Sequence, residues 1–525
     1  MVRRQPVQTV GRSRKRQPLR EQRGAPNVRP KTLPPPVGGW NARDALSAMK
    51  PQDAVTLKNW FPQQSDCITR PGFSEQCDTG EASSNVKQLI PYEYSTYSTL
   101  IACANGKFID VTTDTPSTLG SGYASDDWSF AYLSGLVIMA NGTDALKSYN
   151  GSAIASPAYT GVTLSTLSHV SVFQSRAYFV QKDTQSMWYG GVGSVAGALT
   201  EFDFSSVASI RGNLLFTTHL KGDGGDGGTD DIFLAVFEGG DVIAYTGSDP
   251  GDATNWGKLG HYRIGRPLSR LGYAELDDDV YIATERGYAK MSELSKFGDT
   301  APERLLVSNK IQAAVTADIK SAGETIDWRM TLYPKGQMFI VTSPLSGTAR
   351  RYHVQNINTN AWCEFGDFLA YSWATLGGNL YFGGSGGVVY AFDDGSTDDN
   401  GTTIRGDCQQ AWQILGTPGT TKILSLVKPY FFGTLEPSIS VNAGQDYGPI
   451  PLAIFTTTEE TSAAAVWDEA VWDVATWSYG ESVFARWYSV NAIGDAIGIR
   501  ITIDVPADRV RWNQTVMLYE QGGPL

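Results

Sequence analysis

An all-β fold with a β-propeller-like body is predicted by a recurring hairpin, by its spacing and by the composition. The hairpin occurs seven times without a fixed spelling. Each copy is a short apolar strand, a turn that mostly carries Gly or Asn, and a second strand ending in an aromatic or other large apolar residue. The copies are TLIACANGKFIDV (99–111), LVIMANGTDALKSY (136–149), RAYFVQKDTQSMWY (176–189), IFLAVFEGGDVIAY (232–245), DVYIATERGYAKM (279–291), MFIVTSPLSGTARRY (338–352) and LYFGGSGGVVYAF (380–392). Units that repeat about every 40–50 residues, each too small to bury its own face, are the signature of propeller blades. The pattern predicts six or seven blades, with loops of varied length between them. The 56 Gly, 14 Trp and 24 Tyr fit turn-rich β structure.

With 525 residues, 41% of them hydrophobic, the chain is long enough for more than one domain and for sizeable cores. It contains no apolar run long enough to cross a membrane as a helix. Its N-terminus is basic but no apolar segment follows, so a secretory leader is not expected. The cysteines Cys67, Cys77, Cys103, Cys363 and Cys408 form no CxxC pair. Buried reduced thiols are expected, with a Cys67–Cys77 disulfide across a hairpin as the alternative. His169, His219, His261 and His353 are scattered without metal-ligand spacing, so neither a metal site nor another cofactor is expected.

Charge divides the chain. Residues 1–36 hold ten Lys/Arg and one acid, Glu21, which leaves 32 basic and 53 acidic residues for the rest, a net charge of −21. The body should repel phosphates while the arm attracts anions or an acidic partner. The arm alternates Arg with Pro6, Pro18, Pro26, Pro30 and Pro34–Pro36, a composition that builds no core and favours extended backbone. Arg12, Arg14, Lys15, Arg16, Arg20 and Arg23 are its candidate partner-binding residues. Docking on another protein or subunit, contact with nucleic acid and a solvated tail all fit; the arm has no aromatic residue for base stacking.

Four regions are expected: the arm 1–36, an entry segment 37–85, the propeller-like domain 86–404 and a C-terminal β-sandwich or β-platform domain 405–525. Within the entry segment, Arg43–Met49 suits one or two helical turns stopped by Pro51. The last region alternates like strands at 422–433, 438–444, 497–505 and 508–520, and is expected to include the strand that closes the ring. Inside it, VWDEAVWDVATW places Trp467, Trp472 and Trp477 five residues apart. That interval fits neither a helix nor a strand, so an irregular arm of candidate interface anchors is expected, with burial in their own domain as the alternative.

No motif points to an active site. KGDGGDGGTDD (221–231) is a single copy of a pattern that binds calcium only in stacked repeats. DDGSTDDNG (393–401) lacks the Gly and distal Glu of an EF-hand loop. The glycine clusters at 190–193 and 383–387 lack the Lys-Ser/Thr and the helix of a phosphate loop, and read as tight turns. No GxSxG nucleophile elbow has plausible partners. Asp230–Asp231 and Asp277–Asp279 could in principle supply the paired carboxylates of a glycosidase, but solvated loop acids are the simpler reading. An enzyme is therefore not expected.

Several stretches, taken in order, resemble the tail nozzle proteins of short-tailed bacteriophages, the tail tubular protein B group. They are VGGWNARDALSAMKPQDAVTLKNWFP followed by RPGF, the blade at 171–205, DVIAYTGSDPGDATNWGKLGHYRIGRPLSR (241–270), NTNAWCEFGD with GGNLYFGGSGGVVYAFDDG (358–395), and the Trp-Asp repeat. The resemblance spans roughly residues 37–480; the arm departs from it. It implies a structural protein of the virion tail, assembled in the host cytoplasm. The expected assembly is a ring of about six copies below an adaptor ring, contacting tail fibre or spike proteins. Its lumen would conduct phage DNA at ejection, and an acidic wall would let that DNA slide. The alternative from another class is a tail propeller that binds or cleaves receptor carbohydrate.

Overall fold

The computed structural model describes residues 28–207, 209–221, 231–276, 279–294, 306–323, 327–452, 482–505 and 508–524. The seven hairpins of the sequence are the middle strands of antiparallel units arranged around one axis as a β-propeller. Their innermost strands, blades one to seven, are Gln88–Tyr94, Ser129–Leu133, Leu167–Phe173, Leu214–Leu220, Tyr273–Leu276, Arg329–Tyr333 and Ser372–Leu376. Six units are free-standing sheets, five of four strands and blade five of three. The seventh place in the ring, blade six, is the start of a ten-stranded sheet that runs on into the neighbouring domain.

Local sequence dictates the hairpins. In blade one, Tyr97–Ala104 returns as Lys107–Asp110 through Asn105 and Gly106, whose φ angles are 50° and 68°. Two left-handed residues are what a two-residue type I′ turn requires, and its twist matches that of the flanking strands. A Cβ on Gly106 would also collide with the Tyr123 carbonyl. Adjacent blades bury apolar side chains against each other. Ile90, Ile101 and Phe108 of blade one pack with Trp128 and with Val137 and Met139 of blade two, for example.

The ring is closed from the N-terminal side. Phe73–Asp78 is the outer strand of blade seven, running from Phe73 opposite Phe392 to Asp78 opposite Val388. This corrects the expectation that the closing strand comes from the C-terminal region. The Arg70-Pro71-Gly72 turn delivers it, and Gly72 fits because any side chain there would strike the Asp398 backbone.

Beside the ring lies a β-sandwich made from both ends of the chain. One sheet centres on Thr420–Gly433 and Arg511–Pro524, flanked by Val28–Leu33, Trp60–Pro62, Cys67–Thr69, Ser482–Phe484 and Tyr488–Gly494. The other carries Asp53–Lys58, Arg405–Gln410, Ala496–Asp504 and Ser438–Gln445, and joins blade six through Trp362–Phe365. Ile497, Ile499, Ile501 and Ile503 point inward at every second position, as one buried strand face demands. Trp60, Phe431 and Trp512 fill the space between the sheets, with ring centroids 5.5 Å (Trp60–Trp512) and 6.0 Å (Trp60–Phe431) apart.

Two sequence expectations change here, and the cysteines are as expected. The entry segment is not a unit of its own, because strands within 39–69 pair with strands of 405–524 and 73–78 pairs with blade seven. Arg43–Met49 forms turns rather than a helix, and the Asn41 side chain accepts the backbone N–H groups of Arg43 and Asp44 at the first of them. All five cysteines are free and buried, with Cys67 in the sandwich and Cys77 in blade seven.

Of the arm, residues 28–36 are described. Val28–Leu33 adds to the edge of its own sandwich, antiparallel to Thr515–Glu520, with only Leu33 buried. This part of the arm docks on its own chain. Arg12, Arg14, Lys15, Arg16, Arg20 and Arg23 lie outside the described residues, as do Trp467, Trp472 and Trp477.

Candidate functional site

The innermost strands enclose a central channel with a cavity of about 460 Å³, to which all seven blades contribute. It is lined by polar as well as aromatic side chains, because positions facing the axis cannot pack against a neighbouring blade. Gln88, Trp128, Ser171, Glu275, Arg329 and Trp373 mark its circumference.

Near the start of the innermost strands, two guanidinium groups converge on one carboxylate. Arg329 reaches Asp127 Oδ1 at 2.6 Å and also donates to Gln88 Oε1 at 3.1 Å. Arg270 donates to Asp127 Oδ2 at 2.9 Å, to the Asp127 carbonyl at 2.8 Å and to the Ser168 carbonyl. Burial acts to raise the Asp127 carboxyl, but the Arg329 and Arg270 charges outweigh it and hold it at about 2. Burial draws the Arg270 guanidinium down against the opposing pull of Asp127.

Further along the channel, Ser171 and Thr217 share a hydrogen bond of 2.7 Å. Thr218 donates to Glu275 at 2.9 Å, and His219 Nδ1 lies 3.7 Å from the same carboxylate. Behind this wall, His169 Nε2 meets the Tyr273 hydroxyl at 3.0 Å, and Tyr273 stacks on Phe216 with centroids 4.6 Å apart. Desolvation, with Arg270 nearby, pushes His169 well below its ordinary value, so it stays neutral. Asp127, Arg270 and Arg329 are thus paired with one another, an arrangement suited to bracing the ring.

The loops singled out in the sequence have structural work. In 393–401, Asp399 is clamped by Arg70 at 2.5 and 2.7 Å, Asp394 accepts from Ser74 and the Ser396 amide, and Asp398 accepts from the Gly401 amide. These carboxylates face separate donors rather than one ion. Among the described residues no group of three or more His, Cys, Asp or Glu is placed to hold a metal. Gly386 and Gly387, with φ of 67° and 76°, form the turn between Asn379–Gly383 and Val388–Phe392. Gly193 lies in a loop after Ser186–Tyr189, where its amide donates to the Ser175 carbonyl at 2.6 Å. The tip residues 222–230, like Asp277 and Asp278, lie outside the described residues. Asp231 accepts from the Gln174 side-chain amide at 3.3 Å, and Asp279 caps the Ser292 amide. Sequence reading missed the Asp127–Arg270–Arg329 group. Its members come from separate blades and share no spacing; their places on or beside innermost strands would have been the only clue.

Among the described residues no helix is long and apolar enough to cross a membrane. No protein-family model and no curated protein matches the chain. Solved propeller-like structures do. BamB from Moraxella catarrhalis matches with 11% identity and a TM-score of 0.33, over 62% of this chain and 97% of that one. YCF48 from Cyanidioschyzon merolae matches with 10% identity and a TM-score of 0.32, over 59% and 96%. The computationally designed protein Ika8 matches with 10% identity and a TM-score of 0.35, over 61% and 99%.

Proposed function

We propose that this protein is a structural subunit of a ring, the distal tail tube or nozzle of a short-tailed phage virion, and not an enzyme. The observation that carries the scaffold reading is that the buried charges at the start of the innermost strands are spent on one another, with Asp127 held between Arg270 and Arg329. A catalytic site presents unspent donors and acceptors to substrate. The order of sequence motifs supports the nozzle reading. A cavity of about 460 Å³ is small-molecule sized. DNA, whose major groove alone is about 12 Å wide, would therefore pass between subunits, along the axis of the assembly. The strongly acidic balance of residues 37–525 suits a lumen that does not grip phosphate.

Mass measurement and imaging of the purified chain and of virions test the reading. The expected result is a ring of about six copies, present in virions, with an open central lumen. A chain that stays monomeric and is missing from virions would overturn it.

A further inference from the structure

One face of the propeller displays aromatic side chains that its core does not need. Tyr94, Tyr97 and Tyr132 are 57%, 51% and 46% exposed. They belong to the innermost hairpins of blades one and two and are contiguous. Tyr94 and Tyr97 face each other across the hairpin, and the Tyr132 hydroxyl is bonded to the Pro91 carbonyl of the same strand as Tyr94.

These rings are also held in place. The Tyr94 ring lies on Gly135, where an added Cβ would sit 2.8 Å from it, and the Tyr97 ring lies on Gly151 at the same distance. The glycines thus provide flat seats, so the phenol faces stay outward in fixed positions and little rotamer freedom remains to be lost on binding.

The patch continues into the channel. Tyr132 lines the cavity of about 460 Å³, whose wall also carries Glu275, 46% exposed, and His219. Glu93, next to Tyr94 in sequence, accepts the Gly377 amide of blade seven and so brings a second carboxylate to this face. Aromatic faces beside carboxylates, hydroxyls and a cavity of this size make an amphipathic site. They match a pyranose chain, whose C–H faces stack on rings while its hydroxyls donate to carboxylates. A purely apolar partner would leave Glu93 and Glu275 to be desolvated without compensation.

We infer that Tyr94, Tyr97 and Tyr132, at the mouth of the propeller channel, form a binding site for a saccharide chain. The site lies within a single subunit, so the inference does not rest on ring assembly.

Calorimetric titration of the full chain with maltohexaose, chitohexaose and delipidated lipopolysaccharide O-polysaccharide tests it. Saturable binding of at least one probe is expected. Tyr94→Ala with Tyr97→Ala should weaken it at least tenfold with only a small fall in melting temperature, because both rings are more than half exposed. Trp487→Ala, an exposed aromatic of the sandwich, should leave it unchanged. Absence of binding to all three probes, binding that survives the tyrosine substitutions, or equal loss with Trp487→Ala would each overturn the inference. Assembly measured on the same variants separates this outcome from that of the ring proposal.

Discussion

Blades one to four and the sandwich are both antiparallel β structure, yet they are held together over different distances along the chain. In blade one, Ala104 pairs with Lys107. In the sandwich, Val28 pairs with Glu520 and Ile68 with Arg511. The first kind of pair closes a loop of two residues; the second closes nearly the whole chain. The cores differ likewise. Blades one to four bury their side chains in separate clusters between neighbours. Blades five, six and seven share one continuous core with the sandwich. One half of the ring is therefore a stack of local units, and the other half is bound to a domain that exists only once both chain ends have met.

Arg70 sits where blade seven meets the sandwich, and its removal should have the largest effect. It is fully buried, bonds Asn59 and the Gly366 carbonyl, clamps Asp399, and lies 5.0 Å over the Phe368 ring. Arg70→Ala would strand the buried Asp399 carboxylate and should cost about 3–5 kcal/mol. In denaturant unfolding, blades five to seven and the sandwich should lose stability together. If the sandwich alone weakens, the shared-core description fails.

Trp512→Ala sharpens the same contrast from within the sandwich. The side chain is fully buried against Trp60 and Phe431, so a loss of about 3–5 kcal/mol is expected. Amide exchange should speed up in the strands Thr420–Gly433 and Ala496–Asp504 while blades one to four keep their protection. Gly106→Ala probes a local unit. Its positive φ and the Tyr123 carbonyl make the change cost about 1–3 kcal/mol, with faster exchange confined to blades one and two.

The smallest effect is expected from pH. Asp127 is held at about 2 against an ordinary value of 3.8, so its contribution is fully present above the ordinary value and is lost as pH falls from there toward about 2. The side chain is 45% exposed, and solvent screening keeps the contribution small. Asp127→Asn should flatten that part of the acid limb in a melting-temperature series from pH 5 to pH 2; an unchanged limb would remove Asp127 from the set of groups bracing the channel.

The propeller was legible from the sequence because its hairpins carry their own instructions. LIACANGKFID contains the strand, the type I′ turn and the return strand within one window, and six further windows repeat the scheme. The four strands expected after residue 405 were equally legible from alternation, since IGIRITID shows its buried face at every second residue. The short segments that pair with them were not. Val28–Leu33 is a proline-containing strand with a single buried residue, and its place depends on the free edge offered by Thr515–Glu520.

By itself, then, the sequence determined the repeating blades and the opposition of a basic arm to an acidic body, because each is set by neighbouring residues or by composition. Tertiary structure alone decided that the N-terminal strand Phe73–Asp78 closes the ring, that both chain ends share one sandwich, and that Asp127, Arg270 and Arg329 meet at its axis. The physical reason is distance along the chain. A pairing across hundreds of residues is selected by the edges, cavities and charges that remain after local structure has formed, and no short window of sequence records them.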